Sequence, residues 1–366
     1  MPPHFDSRLQ RLIEHSDADV IALVPGANMR YFTGLSFHLS ERPTIALISK
    51  KGLSFIIPEL EMSKLRQRTD LDVQAFSWSD KEGYEKAFEK AATDLQLADQ
   101  VFGMDGMTMR TFEWFAFQNV GLSSEVSYDA GQELLNVRAI KEAFEVEAMK
   151  KAIQLSEAAL ETCLKQVKVG MTEKQIAEIL TREMEKRGSE GHAFGPIVLS
   201  GEKSALPHGD TGERPLGNNE ALLIDFGGIV DAYPADITRT VFFGKPSDRF
   251  LKQYEAVYAA NEAAREVSAP GVACSMVDQA ARQAISKAGY GQYFTHRTGH
   301  GLGLEVHELP NIAEGNPVLL EPGHVYTIEP GVYIPSEGGV RIEDNMHVQE
   351  DQVECLTSYT RDLVTY

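Results

Sequence analysis

Short apolar runs alternate with amphipathic stretches along the first 130 residues of the chain. Runs rich in Val, Ile, Leu and Phe predict β-strands at residues 20–24, 44–49, 53–58 and 101–105. Apolar positions at helical spacing predict helices at residues 61–68 and 81–95, and a third that begins at an N-cap, Thr108, and runs towards Gln118. Strands and helices in this order predict a small N-terminal α/β domain, which we assign to residues 1–130.

The pattern changes after residue 130, where apolar positions recur at helical spacing over residues 133–164. They predict one long helix that begins at about Glu133. A further helix is predicted to begin at Thr172, because Gln175 three positions later completes a capping box. We expect its apolar stripe to face a core, and this stripe consists of Ile176, Ile179, Leu180 and Met184. We therefore predict a second, larger domain over residues 131–366.

Two segments of this second domain resemble each other. ALLIDFGGIVDAYPADITRT, residues 221–240, and HVYTIEPGVYIPSEGGVRIEDN, residues 324–345, each contain an apolar run that ends in an acid, then a Gly turn, then a second acid. The first acids are Asp225 and Glu329, and the second are Asp236 and Glu343. These pairs lie 104 and 107 positions apart. The offset predicts two αβ half-domains related by a pseudo-twofold axis, with acids from both halves meeting at the axis.

The four acids and the histidines between them predict a metal site. The intervening sequence HRTGHGLGLEVHE carries His296, His300 and His307. Burial of four neighbouring carboxylates is too costly without cations, so we expect two divalent ions to neutralise them. Carboxylates with a single imidazole are hard ligands that favour Mn, Co or Fe, with Mn preferred and Zn as a further alternative. Two such ions share and activate a water molecule, so the predicted reaction class is metal-assisted hydrolysis.

The composition excludes several other classes of function. Acidic residues outnumber basic ones 54 to 35 in the 366-residue chain, for a net charge of −19, which argues against nucleic-acid partners. The three cysteines fit neither a disulfide framework nor a structural zinc site, which favours a reducing cytoplasm. No apolar run approaches the ~20 residues of a membrane span, and no signal sequence is visible. We therefore expect a cytoplasmic protein that does not insert into membranes.

Several segments resemble the signature segments of one enzyme family. PIVLSGEKSALPHGD, LLIDFGGIVDAYPADITRT, HRTGHGLGLEVHE, LEPGHVYTIEPGVYI and VRIEDN are similar to those of the pita-bread metallopeptidases (family M24), specifically the prolidase and aminopeptidase P branch. NMRYFTGL, which begins at Asn28, resembles the N-terminal domain of that branch. The resemblance implies an α/β (α+β) fold, in which a small creatinase-like α/β domain precedes a pita-bread domain with an internal αβ repeat.

The resemblance also implies the ligands of two metal ions. Asp225 chelates one ion, and Asp236 and Glu343 bridge the pair. His300 and Glu329 complete the ligands of the other ion. Glu329 also matches the family's acid beside the bridging water, which implies that it acts as the general base.

Four more residues match positions around the reacting bond in this family. His208 and His307 match the histidines that hold the substrate carbonyl and stabilise the oxyanion. His296 matches a histidine that lines the leaving-group pocket, and Arg341 matches a residue that orients Glu343 and its neighbours.

Members of this family cleave the bond before a proline, so the implied substrates are Xaa-Pro dipeptides or short peptides. Many prolidase-type relatives carry an arginine after the HE-x-Pro segment to hold the dipeptide's carboxylate, whereas this chain has Asn311 after Pro310. An aminopeptidase P-like activity on longer peptides is therefore the alternative. A non-peptidase pita-bread enzyme and a non-catalytic peptide-binding module are two further alternatives.

The resemblance finally implies an oligomer. In relatives the small N-terminal domain lies near the pocket of the neighbouring subunit, so we expect a homodimer. The loop after Gly34, which contains Phe37 and His38, is then expected to help close the site.

Overall fold

The structure is a computed structural model that describes residues 5–366. The chain divides into two compact units, of which the first ends at Arg138 and the second is Ala139–Tyr366. Within residues 5–366, none of the helices combines the length and the apolar character that crossing a membrane demands.

The first unit contains six strands and six helices among its described residues. The strands are β1 (Val20–Leu23), β2 (Ile45–Ser49), β3 (Gly52–Pro58), β4 (Val73–Trp78), β5 (Phe102–Met104) and β6 (Ser127–Asp129). The helices are α1 (Phe5–Glu14), α2 (Ala27–Thr33), α3 (Met62–Arg66), α4 (Glu85–Leu95), α5 (Thr111–Asn119) and α6 (Gly131–Ala139). The strands form one mixed sheet in the order β4-β3-β2-β1-β5-β6. β1, β2 and β3 are antiparallel, and the remaining pairs are parallel.

The four strands predicted for this unit are confirmed, but the predicted start of one helix is wrong. Thr108 is not an N-cap, because α5 begins at Thr111 and Arg110 occupies the cap position. The side chain of Glu113 accepts a hydrogen bond from the backbone N–H of Arg110 at 3.0 Å, which satisfies a donor at the helix start. The capping contact therefore comes from an acid inside the first turn of the helix, whereas the prediction placed it on a hydroxyl group before the first turn.

The second unit contains four helices and twelve strands. The helices are α7 (Ala143–Leu164), α8 (Glu173–Lys186), α9 (Asp248–Val267) and α10 (Cys274–Lys287). The strands of its first half are β7 (Ile197–Ser200), β8 (Glu220–Phe226), β9 (Ile229–Val230), β10 (Tyr233–Pro234) and β11 (Ile237–Phe243). The strands of its second half are β12 (Gly299–Gly301), β13 (Glu308–Ile312), β14 (Val325–Ile328), β15 (Gly331–Ile334), β16 (Gly338–Arg341), β17 (Asp344–Val348) and β18 (Val353–Cys355).

The single long helix predicted from Glu133 is wrong, because the chain forms α6 and α7 with a break between them. At the break, Ile140 forms a β-bridge with His324, and the backbone N–H of Lys141 donates to the carbonyl of Gly323 at 2.9 Å. These partners lie far away in sequence, so local periodicity carries no sign of them. The predicted start of α8 is confirmed, since Thr172 and Gln175 cap each other reciprocally at 3.2 and 2.9 Å.

The two halves of the second unit repeat the same packing. In the first half α7 and α8 pack on the antiparallel sheet β11-β8-β7, and in the second α9 and α10 pack on β13-β12-β14-β17-β18 and on the hairpin β15-β16. The turn before α8 and the turn before α10 also match. Gly170 N donates to Leu216 O and Gly271 N donates to Leu320 O, each at 2.7 Å. Both glycines have positive φ, 93° and 82°, which other residues rarely adopt.

Candidate metal centre

The first half supplies two carboxylates from one pair of strands. Along β8, the alternate residues Leu222, Ile224 and Phe226 pack into the core beneath α7 and α8. Because successive side chains of a strand point to opposite faces, Asp225 points away from that core. Asp236 immediately precedes β11, whose residue Thr238 pairs directly with Asp225.

The second half supplies its two carboxylates from the matching pair of strands, β14 and β17. Glu329 follows β14 and Glu343 precedes β17. Hydrogen bonds to β11 of the first half hold this region in place. The backbone N–H of Glu343 donates to Thr238 O at 3.1 Å, and Thr238 Oγ1 donates to Glu343 Oε2 at 2.7 Å. Thr240 Oγ1 exchanges hydrogen bonds with the backbone carbonyl and N–H of Arg341, each at 3.1 Å.

Three donors from the two halves converge closely. Asp236, His300 and Glu343 are buried, and their ligand atoms lie within 4.8 Å of one another. His300 Nε2 lies 3.6 Å from Asp236 Oδ2 and 3.3 Å from Glu329 Oε1. Its Nδ1 is 3.1 Å from the carbonyl of Gly301, an arrangement that places the proton on Nδ1 and leaves Nε2 as an acceptor facing the acids.

Asp225 has one oxygen satisfied and one free. Its Oδ2 accepts a hydrogen bond from Arg341 Nη2 at 2.6 Å. Its Oδ1 is buried and has no hydrogen-bond partner among residues 5–366. An unpaired buried carboxylate oxygen costs stability unless a cation or another donor satisfies it.

The electrostatics of the four acids fit divalent cations. Burial and the neighbouring negative charges raise the pKa of Asp236 and of Glu343 well above the usual carboxyl range. Burial, together with the charge of Asp225, raises the pKa of Glu329 to about 8. Burial lowers the pKa of His300 to about 3, which keeps the imidazole neutral, the form that ligates metals. Oxygen and imidazole donors without a thiolate form a hard ligand set, and the residues therefore fit divalent metal ions.

Arg341 is the buried cation of the site. Its guanidinium donates to Asp225, to Thr238 Oγ1 at 3.0 Å and to the hydroxyl of Tyr333 at 3.0 Å. Thr238 in turn donates to Glu343, so Arg341 reaches that carboxylate through the threonine. Thr238 and Tyr333 were not among the predicted site residues, although both lie in segments that carry predicted ligands, DITRT and EPGVY.

The three further histidines lie around the acids. His307 packs edge-on against His300, with ring centroids 4.3 Å apart. His296 Nε2 lies 2.8 Å from the hydroxyl of Tyr333, and burial lowers the pKa of His296 to about 4. His208 is exposed at the cavity wall.

One cavity of about 600 Å³ brings together all nine predicted site residues. They are His208, Asp225, Asp236, His296, His300, His307, Glu329, Arg341 and Glu343. A cavity of this size accommodates a small ligand. Six further residues line the cavity and were not among the predicted site residues: Ala193, Phe194, Ile197, Pro207, Arg297 and Val306. Arg297 was detectable as the only cation between His296 and His300 in the HRTGH segment. No sequence motif indicated that Phe194 lines the cavity.

Comparison with known families identifies the family of this chain. The family model "Metallopeptidase family M24" matches residues 147–350, and the model "Creatinase/Prolidase N-terminal domain" matches residues 7–140. The chain belongs to metallopeptidase family M24. Its fold is therefore a creatinase-type N-terminal domain followed by a pita-bread domain, as predicted, and members of this family use divalent metal ions.

Several individual members of family M24 are similar to this chain over nearly its whole length. The Xaa-Pro dipeptidase of Pyrococcus furiosus is 32% identical over 362 residues, 98% of this chain and 99% of that protein. A dipeptidase structure from Pyrococcus horikoshii OT3 is 34% identical, with a TM-score of 0.92 and coverage of 99% of both chains. An X-Pro aminopeptidase structure from Thermotoga maritima is 32% identical, with a TM-score of 0.85 and coverage of 98% and 100%. The chain is thus a peptidase of the prolidase branch.

Proposed function

We propose that the protein is a dinuclear metal-dependent peptidase that hydrolyses the Xaa-Pro bond of dipeptides or short peptides. The observation that carries this proposal is the convergence of two carboxylates from each half, with His300, on one cavity in which Asp225 Oδ1 has no protein partner within residues 5–366. The names of the Pyrococcus and Thermotoga relatives support the Xaa-Pro bond as the target.

In this proposal each half contributes to both ion sites. Asp225, together with Asp236 and Glu343, would hold the first ion. His300 and Glu329, together with Asp236 and Glu343, would hold the second. Two divalent ions balance four carboxylates, and when bound they act as Lewis acids and lower the pKa of a water molecule. The all-oxygen-and-nitrogen ligand set favours Mn over the softer metals, with Co, Fe and Zn as alternatives.

The chain's own residues perform the proton transfer and bind the substrate. Glu329 is the general base: its carboxylate lines the cavity with its Oε1 3.3 Å from His300 Nε2, and there it would accept a proton from the attacking water. His208 and His307, on the cavity wall, donate to the carbonyl oxygen as negative charge develops on it. Arg341 fixes the orientation of Asp225, and the Tyr333 hydroxyl fixes His296 on the leaving-group side.

A peptide bond before proline requires a special binding site because of the chemistry of proline. A bond before proline has no amide hydrogen, and the ring fixes φ, so recognition through a ladder of backbone N–H groups fails there. An enclosed cavity that holds the residues on both sides of the bond overcomes this difficulty.

The direct test is hydrolysis of Xaa-Pro dipeptides by the purified protein after chelation and reloading with Mn, Co, Fe or Zn. We expect activity to return with a metal, and two metal ions per chain by elemental analysis. Asp236→Asn and Glu343→Gln are expected to lower kcat by more than about 100-fold, because each removes a ligand shared by both ions. Asp351→Asn, an exposed acid outside the cavity, is the matched control. Full activity in the chelated protein, or one ion per active chain, would contradict the dinuclear mechanism.

An X-Pro aminopeptidase activity on longer peptides is the second candidate, because Asn311 stands where many prolidases carry an arginine and because the Thermotoga aminopeptidase has the same fold. Comparison of Xaa-Pro with Xaa-Pro-Yaa substrates distinguishes the two.

The proposal includes a homodimeric assembly and a cytoplasmic location. We expect a homodimer in which the N-terminal domain, residues 1–130, helps to close the site of the neighbouring subunit, and a catalytic domain over residues 131–366. Light scattering tests the dimer. A cytoplasmic location is supported by three cysteines that form no disulfide, Cys163, Cys274 and Cys355.

A further inference from the structure

The cavity contains a second arginine, Arg297, besides Arg341. Arg297 is partly buried and directly follows His296. Its positive charge acts on Glu329, His300 and His307, which places the guanidinium within electrostatic range of the reacting groups.

Arg297 is held by a neutral partner. Its Nη1 donates to Asn311 Oδ1 at 2.5 Å. Asn311 lies on β13, which pairs with β12 through Ile312 and Gly299. The backbone N–H of Thr298, next to Arg297, also donates to Ile312 O at 3.0 Å, so the backbone on either side of the Arg297–Asn311 contact is held together. The guanidinium is therefore anchored to the sheet through one of its five N–H groups.

The anchor leaves the charge of Arg297 without a direct counter-ion. Arg341 forms an ion pair with Asp225, whereas Arg297 forms no ion pair with any residue in 5–366. Burial lowers the pKa of Arg297, which reflects the cost of placing its charge there, but a guanidinium stays protonated at neutral pH. A partly buried cation that lines a cavity and has no counter-ion among the described residues is suited to a carboxylate, which a planar guanidinium binds through two parallel hydrogen bonds.

The charge of the whole site also favours an anionic ligand. In the proposed function, two divalent ions neutralise the four carboxylates of the cavity, which leaves the charges of Arg297 and Arg341 in excess. A free Xaa-Pro dipeptide carries one carboxylate, on the proline. In a longer peptide that carboxylate is displaced by about 3.5 Å for each added residue, and in a dipeptide amide it is absent.

We propose that Arg297, held in place by Asn311, binds the C-terminal carboxylate of the substrate and thereby makes Xaa-Pro dipeptides the preferred substrates over longer peptides. This inference rests on the proposed function and specifies the length of its substrate. In this proposal the neutral amide of Asn311 orients the guanidinium of Arg297 without neutralising its positive charge.

The test compares three substrates, Xaa-Pro, Xaa-Pro-amide and Xaa-Pro-Yaa, with the metal-loaded protein. We expect the wild type to cleave the dipeptide with a kcat/KM roughly 10- to 100-fold above that for the amide, the factor expected for a charge-assisted hydrogen bond. Arg297→Met is expected to lower kcat/KM for the dipeptide by that factor, mainly through KM, and to change the value for the amide less than about 3-fold.

Asn311→Asp provides the sharper variant, because it keeps the shape of the side chain and places a carboxylate against Arg297. We expect it to abolish the preference for the dipeptide by neutralising the arginine, with cleavage of the amide retained. Proline and prolinamide serve as competitive inhibitors, and the advantage of proline over prolinamide should disappear in both variants. Arg249→Met, which removes an exposed arginine, is the matched control. Thermal unfolding and metal content verify that each variant is folded and loaded.

The possible failures are distinguishable. If the wild type cleaves none of the three substrates with any metal, the proposed function fails, and this inference fails with it. If the wild type cleaves dipeptide and amide equally, or if Arg297→Met weakens both to the same extent, the Xaa-Pro peptidase stands and the role of Arg297 is overturned.

Discussion

Arg341 and Asp225 form a buried ion pair that uses only one oxygen of the carboxylate. Arg341 Nη2 lies 2.6 Å from Oδ2, while Oδ1 is buried and without a hydrogen-bond partner among the described residues. The arginine thus fixes the direction in which the other oxygen points. A carboxylate that ligates a metal ion typically has this arrangement, in which one oxygen accepts a supporting hydrogen bond and the other is available to the ion.

Arg341→Met should therefore weaken metal binding without removing a ligand. We expect a 10- to 100-fold loss of affinity, about the range found when a residue supporting a metal ligand is lost. Competition with a fluorescent chelator measures this affinity. Arg341→Lys keeps the charge but not the planar fork, and we expect only partial recovery. Arg249→Met should bind metal like the wild type, and equal affinity in Arg341→Met and the wild type would contradict the prediction.

Removal of the metal ions by a chelator should lower the free energy of unfolding. Without the ions, the four acids of the site lie close together and repel one another. At a free metal concentration 100 times its Kd, one bound ion stabilises the folded state by about 2.7 kcal/mol. We expect this gain in urea unfolding of the wild type and of Asp351→Asn, but not of Asp236→Asn. A gain in Asp236→Asn as large as in the wild type would remove Asp236 from the ligand set.

The buried pair Arg239 and Asp344 should contribute strongly to stability. Arg239 Nη2 donates to Asp344 Oδ1 at 2.7 Å, and Arg239 Nη1 donates to the backbone carbonyl of Glu343 at 2.6 Å. Both side chains are almost fully buried. Arg239→Met leaves a buried carboxylate short of a partner and is expected to cost about 3–5 kcal/mol in urea unfolding. A loss below about 1 kcal/mol would show that the other arginines near Asp344 compensate.

His324 should make stability depend on pH. Burial, followed by the charge of Lys141, lowers the pKa of His324 to about 4, below its usual 6.5. The unfolded chain therefore takes up a proton first as the pH falls. The contribution of His324 is complete above pH 6.5 and decreases between pH 6.5 and 4 by roughly 1.4 kcal/mol per pH unit at most.

The measurement compares the unfolding free energies of the wild type and His324→Gln from pH 7.5 to 4.5. The advantage of the wild type should narrow as the pH falls, whereas His15→Gln, at an exposed position, should leave the pH dependence unchanged. A constant difference between the wild type and His324→Gln would show that His324 does not titrate in this range.

The acids of the site could be located from sequence because each one ends or precedes an apolar strand. The alternation along β8 alone predicts that Asp225 points away from Leu222 and Ile224. The repeat then predicts that Glu329 occupies the equivalent place. Strand patterns and spacing are local properties, and this part of the fold follows from them.

Other features depend on distant partners and could not be predicted locally. The break between α6 and α7 requires the bridge from Ile140 to His324. Arg297 lines the cavity because Asn311, 14 positions later, anchors its side chain. In the sequence, Asn311 differs from prolidase-type relatives only as a residue in place of an arginine, because a linear motif does not indicate which side chain contacts it across the sheet.

The hydrogen bonds of Thr238 and Thr240 to Glu343 and Arg341, two residues that line the cavity, join the two halves of the second unit. A hinge motion that opened the unit between its halves would break these bonds and separate Asp225 and Asp236 from Glu329 and Glu343. We therefore expect peptides to enter and leave the cavity without separation of the two halves. Peptide exchange can then proceed while the ion-binding framework stays rigid.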